Sequence, residues 1–379
     1  MAEEDVPKVE TDENALVPDV VTKYQTAAEI ANRAMAKVVQ ACVVGARINE
    51  ICKLGNDTIL EGTKSVYAKK KDMLKGIAFP TCVSPLNVIC HLSPIAQDAE
   101  AIPALKDGDV VRIELGAHID GYAAMAAHTS VVGASKEKPV TGKKADLLTA
   151  AHVATETVLR LLKPGNTNYQ VTDMISKVAA EYGVKPVQGM MSYQLKRNAV
   201  GGTGAKHIIL DPTPEQRKNT PTKEFEEGDV FSLDIVLSTG EGIPKSLETH
   251  RTTVFRKTDL VYGLKTTSAR AAYSTIKKEF GEFPFSISQF EDETKAKMGM
   301  TEIQKTGLAE PYAVCYSRED EETVHIILTV LLMANGPLKI TGQAWDPEVV
   351  KSDVELKDDG IKELLKLPVR ASGKKKNKK

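Results

Sequence analysis

The sequence predicts an α+β fold made of two similar halves that share one sheet, with helices packed outside it. Two echoes carry this expectation. TAAEIA, beginning at Thr26, returns as TAAHVA at Thr149, and DGDVVRIELG (107–116) returns as EGDVFSLDIV (227–236). Both pairs keep one order and an offset of about 120 residues, which marks an internal duplication. Neither α+β half can cover its own strands, so the halves must pool them in one sheet and pack their helices on it. A third observation fixes one arm of that sheet. VRIELGAHIDGYAAMAAHTSVV (111–132) alternates, turns at Asp120-Gly121 and alternates again, which reads as a β-hairpin.

The remaining elements follow in order. Residues 1–19 (MAEEDVPKVETDENALVPD) are acidic and lack an apolar core; they are expected to be disordered and are no signal peptide. Tyr24, Ala27, Ala31, Ala34, Val38 and Cys42 recur near helical spacing and predict a helix over 20–45, with a second from Ile48 to Val66. GIAFPTCVSPLNVICHLSP reads as extended. Helices return at 143–163 and 170–182, the latter closed by Gly183 at a C-cap position. VGGTGAKH (200–207) follows no clear strand and precedes no clear helix, so it reads as a flexible loop rather than a phosphate cradle. Residues 257–322 have no counterpart in the first half and read as a charged, helical insert. VHIILTVLLMANGP is apolar throughout, as a strand buried on both faces would be. One domain over 20–368 is expected, with halves at about 20–135 and 140–340. Residues 369–379 should form a disordered basic tail, either a solubilising end or a polyanion contact or nuclear address.

Composition excludes several classes. Hydrophobic residues make up 42% and charged residues 27%, which suits a folded globular chain. No run approaches the roughly 18 apolar residues of a membrane span. The five cysteines (Cys42, Cys52, Cys82, Cys90, Cys315) are scattered without a CxxC pair. That argues for reduced thiols in a cytosolic or nuclear protein, and against a disulfide framework or a cysteine zinc site. There is no Walker loop, dinucleotide fingerprint or GxSxG elbow. The clusters SYQLKRN and YAKKKDMLK read as solvated faces. His118 and His128 read as packing residues and His152 as a helix-surface one; His207, His250 and His325 share no ligand spacing.

Glu114 is the anomaly. A carboxylate inside a buried hairpin is costly unless a metal or partner holds it. The repeat sets it opposite Asp234, and two acids at equivalent points of a pseudo-twofold would meet at the centre. That is the geometry of a metal site or of its relic.

FPTCVSPLNVICHLSP (79–94), the hairpin, FSLDIVLSTGEG (231–242) and ILTVLLMANGP (327–337) resemble the methionine aminopeptidase superfamily, with its duplicated pita-bread (creatinase/aminopeptidase) fold. The insert before the last strand matches its type II branch. HRTTVFRK, YGLKTTSARA, FEDETKAKMGM and TVLLMANGPLKITG are similar to the proliferation-associated family, whose members are described as ErbB-receptor-binding and curved-DNA-binding proteins. The resemblance spans about 18–365. It implies pseudo-twofold halves and a helical type II insert.

The aminopeptidases of that superfamily bind two metals through two Asp, one His and two Glu. Carried onto this chain, the first Asp falls on Glu114 and the second on Met125. The histidine falls at or near Tyr193, the first Glu on Asp234 and the second at about Ile327. The substrate-side histidine matches His91. A thioether, a phenol and an alkyl group are poor or null ligands for hard divalent ions. The resemblance therefore implies a pseudoenzyme with no metal cofactor, Glu114 and Asp234 persisting as buried acids bound to backbone amides, hydroxyls or a basic side chain. It further implies a ribosome-associated, RNA- or DNA-binding factor in ribosome biogenesis, translation and growth control. Its partners would be the large ribosomal subunit and rRNA, with DNA and transcription or signalling proteins as further candidates. It would shuttle between cytoplasm, nucleus and nucleolus, without membrane insertion. Candidate phosphate contacts are Lys265, Arg270, Lys277, Lys278, Lys295, Lys297 and Lys305 in the insert, and Lys374, Lys375, Lys376, Lys378 and Lys379 in the tail. Two rivals stand beside this reading: an active metallo-aminopeptidase with atypical ligands, and a peptide- or histone-binding module.

Overall fold

Pro18 opens α1 (Pro18–Ala41), where a missing N–H costs nothing. Its stripe of Ala27, Ala31 and Ala34 is buried, and these short side chains let the helix lie close against a sheet. Helix α2 (Ile48–Ser65) uses Gly55 in the same way: a Cβ there would stand 2.4 Å from Thr81 Oγ1. The computed structural model describes residues 12–370.

The sheet beneath these helices begins with β1 (Lys75–Pro85), β3 (Val110–Ile119) and β4 (Tyr122–Val131), and β2 (Val88–Cys90) lies apart from it. Asp120 (φ +54°) and Gly121 (φ +82°) make the turn of the β3–β4 hairpin, both in the left-handed region a two-residue hairpin loop requires. The turn is tied down on two sides. Lys23 Nζ on α1 lies 2.9 Å from Asp120 Oδ2, and the Arg197 guanidinium lies 2.8 Å from Oδ1.

The second half repeats the plan. Helix α3 (Gly142–Leu161) packs on strands Val230–Ser238 and Thr323–Met333, and α4 (Asn168–Glu181) packs on α3 and on the short strands Lys185–Pro186 and His207–Ile209. Neighbour order in the main sheet is β1, β3, β4, Thr323–Met333, Val230–Ser238, Met191–Lys196 and the two-residue strand Ala199–Val200. Its six longer strands are a palindrome, three from each half meeting between β4 and Thr323–Met333. The duplicated architecture is the pita-bread fold. The apolar run of the last strand places it at the centre of the sheet, as its double-sided burial requires.

The seam between the halves is bridged by threonines. Thr129 Oγ1 accepts the His325 N–H at 2.8 Å and donates to its carbonyl at 3.0 Å. Thr329 Oγ1 does the same for Met125, at 2.8 and 2.9 Å. The strands pair directly only at Ala127–Ile327, and the hydroxyls satisfy backbone groups on either side that would otherwise be orphaned.

Several expectations need correction. Disorder through residue 19 does not hold for 12–19. Pro18 and Asp19 belong to α1, the Tyr122 hydroxyl donates to the Glu13 carbonyl at 2.6 Å, and Asn14 Oδ1 accepts the Arg197 N–H at 2.9 Å. Hairpin groups thus hold an acidic segment that composition alone marks as free. In the tail, Val369 packs on the core and the Arg370 guanidinium reaches Asn335 Oδ1 at 2.6 Å. The segments 1–11 and 371–379, including Lys374 to Lys379, lie outside the described residues. A short helix, Asp359–Lys366, went unforeseen; it is capped by Asp358. VGGTGAKH begins in one short strand, Ala199–Val200, and ends in another, His207–Ile209, so only 201–206 are loop.

The insert is not purely helical. Helices Thr267–Thr275 and Glu293–Lys305 pack together, the first running on into a π-helical turn at Ile276–Phe280. Beside them lies a three-stranded sheet of Val254–Lys257, Phe285–Ser286 and Ala309–Tyr312, around Phe255, Phe280, Phe285 and Phe290. Strands of two to four residues are too short to show alternation. The chain then returns to the body, where Cys315–Tyr316 pairs with β2.

Candidate functional site

Register places the five expected positions on one face. Glu114 pairs with Ala127, Ala127 with Ile327, and Ile327 with Asp234, forming one row across four strands. Met125 stands two residues from Ala127 and so points the same way. It lies opposite Gly116, and a Cβ on Gly116 would come 2.6 Å from its sulfur. Tyr193 pairs with Ser232, two residues from Asp234. The insert and the strand leading into it roof part of this face: Val254, Phe283 and Tyr312 pack with Phe79, Met125 and Ile327.

Glu114 and Asp234 stand in one row with two strands between them. Each has its own histidine. Glu114 is 3% exposed; Oε2 accepts the His91 backbone N–H at 2.7 Å, and Oε1 lies 3.6 Å from Nε2 of the same residue. His91 takes φ +69°, a conformation that costs a non-glycine residue about 1–2 kcal/mol. Its Nδ1 lies 3.0 Å from the Ala313 carbonyl. A carbonyl only accepts, so Nδ1 donates to it. The ring is framed by Phe79 and Tyr312.

Asp234 Oδ1 lies 3.0 Å from His325 Nε2, off the line of a good hydrogen bond, so the coupling is mainly coulombic. Burial opposes protonation of His325, but the charge of Asp234 outweighs it and holds the imidazole above its ordinary value. His325 was not anticipated as a site residue. The signal was its position two residues before Ile327, which gives both the same face of one strand.

The chemistry of this row does not match a pair of hard divalent cations, which want oxygen and imidazole donors. Two carboxylates remain. Met125 and Ile327 fill space with apolar groups, and burial pushes the Tyr193 phenol further up from its ordinary value.

The insert's charges lie elsewhere. Lys265, Arg270, Lys277, Lys278, Lys295 and Lys305 are exposed; Lys297 is half-buried and bonds Gln97. Lys295 is paired with Asp292 at 3.0 Å, and Arg270 bonds the Leu264 and Lys265 carbonyls. Residues 264–310 hold seven Lys or Arg and seven Asp or Glu, so the lobe carries no net positive charge. No described helix is long and apolar enough to cross a membrane.

The chain belongs to metallopeptidase family M24, whose family model matches residues 22–261. Within that family it falls with proteins named for DNA and receptor binding. It is 41% identical to the curved DNA-binding protein of Schizosaccharomyces pombe over 363 residues, covering 96% of this chain and 94% of that protein. It is 41% identical to ERBB-3 binding protein 1 of Arabidopsis thaliana, over 93% of this chain and 87% of that one. Among solved structures, a thermophilic Arx1 superposes with a TM-score of 0.87 at 32% identity, covering 94% of this chain and all of that chain. A methionine aminopeptidase of Thermotoga maritima (TM-score 0.51, 17% identity, 86% and 98% coverage) is alike in fold.

Proposed function

We propose that this protein is a catalytically inactive aminopeptidase homologue that acts as a ribosome-associated, RNA- and DNA-binding factor in ribosome biogenesis, translation and growth regulation. It would work in the cytoplasm, nucleus and nucleolus. The observation that carries the inactive reading is the row Glu114–Ala127–Ile327–Asp234 with Met125 beside it. At the two positions where a dinuclear site needs a further Asp and Glu, the side chains are methionine and isoleucine. Glu114, Met125, Tyr193, Asp234 and Ile327 are then vestigial ligand positions, and His91 a vestigial substrate-side residue that now binds Glu114.

The binding half rests on similarity to the curved DNA-binding relative and on exposed cations. Lys265, Lys277, Lys278 and Lys305 are exposed and form no ion pair among the described residues. The neutral balance of the lobe means that affinity comes from a few lysines and the tail, not from a broad basic field. Two measurements test the reading. Elemental analysis with a methionyl-peptide assay should find neither a pair of hard divalent ions nor turnover; two such ions per chain, with turnover lost in Glu114→Ala, favour the active-enzyme rival. Cosedimentation with large ribosomal subunits across a salt series should weaken in Lys277→Glu/Lys278→Glu, with the salt slope reduced by about 2. Deleting 374–379 should lower affinity and flatten the slope but keep the preferred site. A folded Lys277→Glu/Lys278→Glu variant that cosediments like wild type moves the docking face to the core, near the exposed Lys69, Lys70 and Lys71.

A further inference from the structure

Cys90 and Cys315 are 225 residues apart in sequence, yet they are register partners on two short antiparallel strands. His91 follows Cys90. Both sulfurs and one ring nitrogen of His91 lie within 4.8 Å of one another, the only such trio of His, Cys, Asp or Glu donors among the described residues. We propose that Cys90, His91 and Cys315 bind a single thiophilic divalent cation of the zinc type, at the edge of the cleft and apart from the five positions of the row.

The donor set suits such an ion. Zinc–sulfur bonds of about 2.3 Å and zinc–nitrogen bonds of about 2.0 Å put tetrahedral donors roughly 3.5 Å apart, so closing the trio takes about 1 Å of side-chain adjustment. The ring of His91 is already held, its Nδ1–H on the Ala313 carbonyl, as the outer partners of metal-bound imidazoles hold theirs. A fourth ligand can come from water. Access is open: Cys90 is buried, while Cys315 and His91 are partly exposed.

The protonation of the pair agrees with this. The neighbouring Cys90 lowers the Cys315 thiol from its ordinary value, while Cys315 and burial raise Cys90, so Cys315 is the readier of the two to ionise. A metal would displace the thiol protons. The ion would tie β2 of the first half to the strand by which the insert rejoins the body. It would act as a clip holding the insert against the cleft. Softness and geometry set it apart from a hard two-metal centre, so the inference stands or falls independently of the inactive-enzyme reading.

The test uses the full chain purified without chelators or a metal-affinity tag. Elemental analysis should give one zinc per chain. The cobalt(II)-substituted protein should show a sulfur-to-metal charge-transfer band, which no oxygen- and nitrogen-liganded site can give. Cys315→Ser should abolish that band and weaken zinc by more than about 100-fold, beyond what the loss of an outer partner costs. Met125→Leu, on the row, should keep both. Cys90→Ser is the companion variant; should it fail to fold, Cys315→Ser decides alone, with circular dichroism reporting its fold. Zinc that survives Cys315→Ser, a cobalt adduct without the thiolate band, a wild type that takes up no added zinc, or a Cys90–Cys315 disulfide in protein alkylated at lysis would each overturn the proposal.

Discussion

Replacing Thr129 by valine tests whether hydroxyls hold the two halves together. The side chain is buried, and valine keeps its shape. What is lost is both partners of His325 across the seam, the acceptor of its N–H at 2.8 Å and the donor to its carbonyl at 3.0 Å. Both backbone groups face β4, since those of the flanking residues serve the Val230–Ser238 strand. An unpaired buried backbone group costs about 1–3 kcal/mol, so Thr129→Val, which leaves two, should destabilise by about 2–6 kcal/mol. Thr129→Ser keeps the hydroxyl and loses one methyl, about 0.8 kcal/mol.

The related position gives an internal control. Thr329→Val orphans the Met125 N–H, but the Met125 carbonyl keeps a second donor, the Thr341 hydroxyl at 2.8 Å. Its cost should be about 1–3 kcal/mol, below that of Thr129→Val. Urea denaturation midpoints, with the slope checked for constancy, give the ranking. If Thr129→Val unfolds within about 0.5 kcal/mol of Thr129→Ser, the seam is held by apolar packing and the hydrogen-bond reasoning is wrong.

Two further predictions concern charge. Lys23 and Arg197 outweigh the burial that would raise the Asp120 carboxyl and hold it below its usual value. Its contribution should be complete above about pH 4 and fade as pH falls through the lowered value, and Asp120→Asn should cost about 1–3 kcal/mol at neutral pH while flattening that acid limb in melting curves. His325 has the opposite sign. Its folded value is raised, so its stabilisation is full below about 6.5 and is lost as pH rises through the folded value. Proton NMR of the imidazole should show that rise, and Asp234→Asn should reverse it; an unmoved titration in Asp234→Asn removes the pair from the account.

Local pattern made much of the fold legible. The α1 alanine stripe, the Asp120-Gly121 turn and the two echoes gave the helices, the hairpin and the duplicated sheet. The position of Glu114, Met125, Asp234 and Ile327 on one face follows from period-2 alternation once the strands are placed. What escaped was set by contacts distant in sequence. Cys90 and Cys315 share no spacing motif because the insert lies between them. Asp358 caps a helix whose apolar face is one short stretch against the second half. The repeat gives the equivalence of Glu114 and Asp234 but not the two central strands, β4 and Thr323–Met333, that stand between them in the row.

The way Glu114 is held separates a structural acid from one that needs a cation. Its main partner is the His91 amide, turned inward at φ +69°, and the imidazole stands further off at 3.6 Å. Glu114→Gln keeps an acceptor oxygen for that amide and removes only the charge. A buried charge whose counterpart is a distant, partly exposed imidazole gains little from it, so the variant should stay within about 1 kcal/mol of wild type. Glu114→Leu removes the acceptor, leaves the amide unpaired and takes away the reason for the left-handed turn, so it should cost about 1–3 kcal/mol. The two should therefore differ clearly in urea midpoint, measured after extensive chelation. If Glu114→Gln falls as far as Glu114→Leu, the negative charge itself is required, and a cation rather than a backbone amide is what keeps this carboxylate in the cleft.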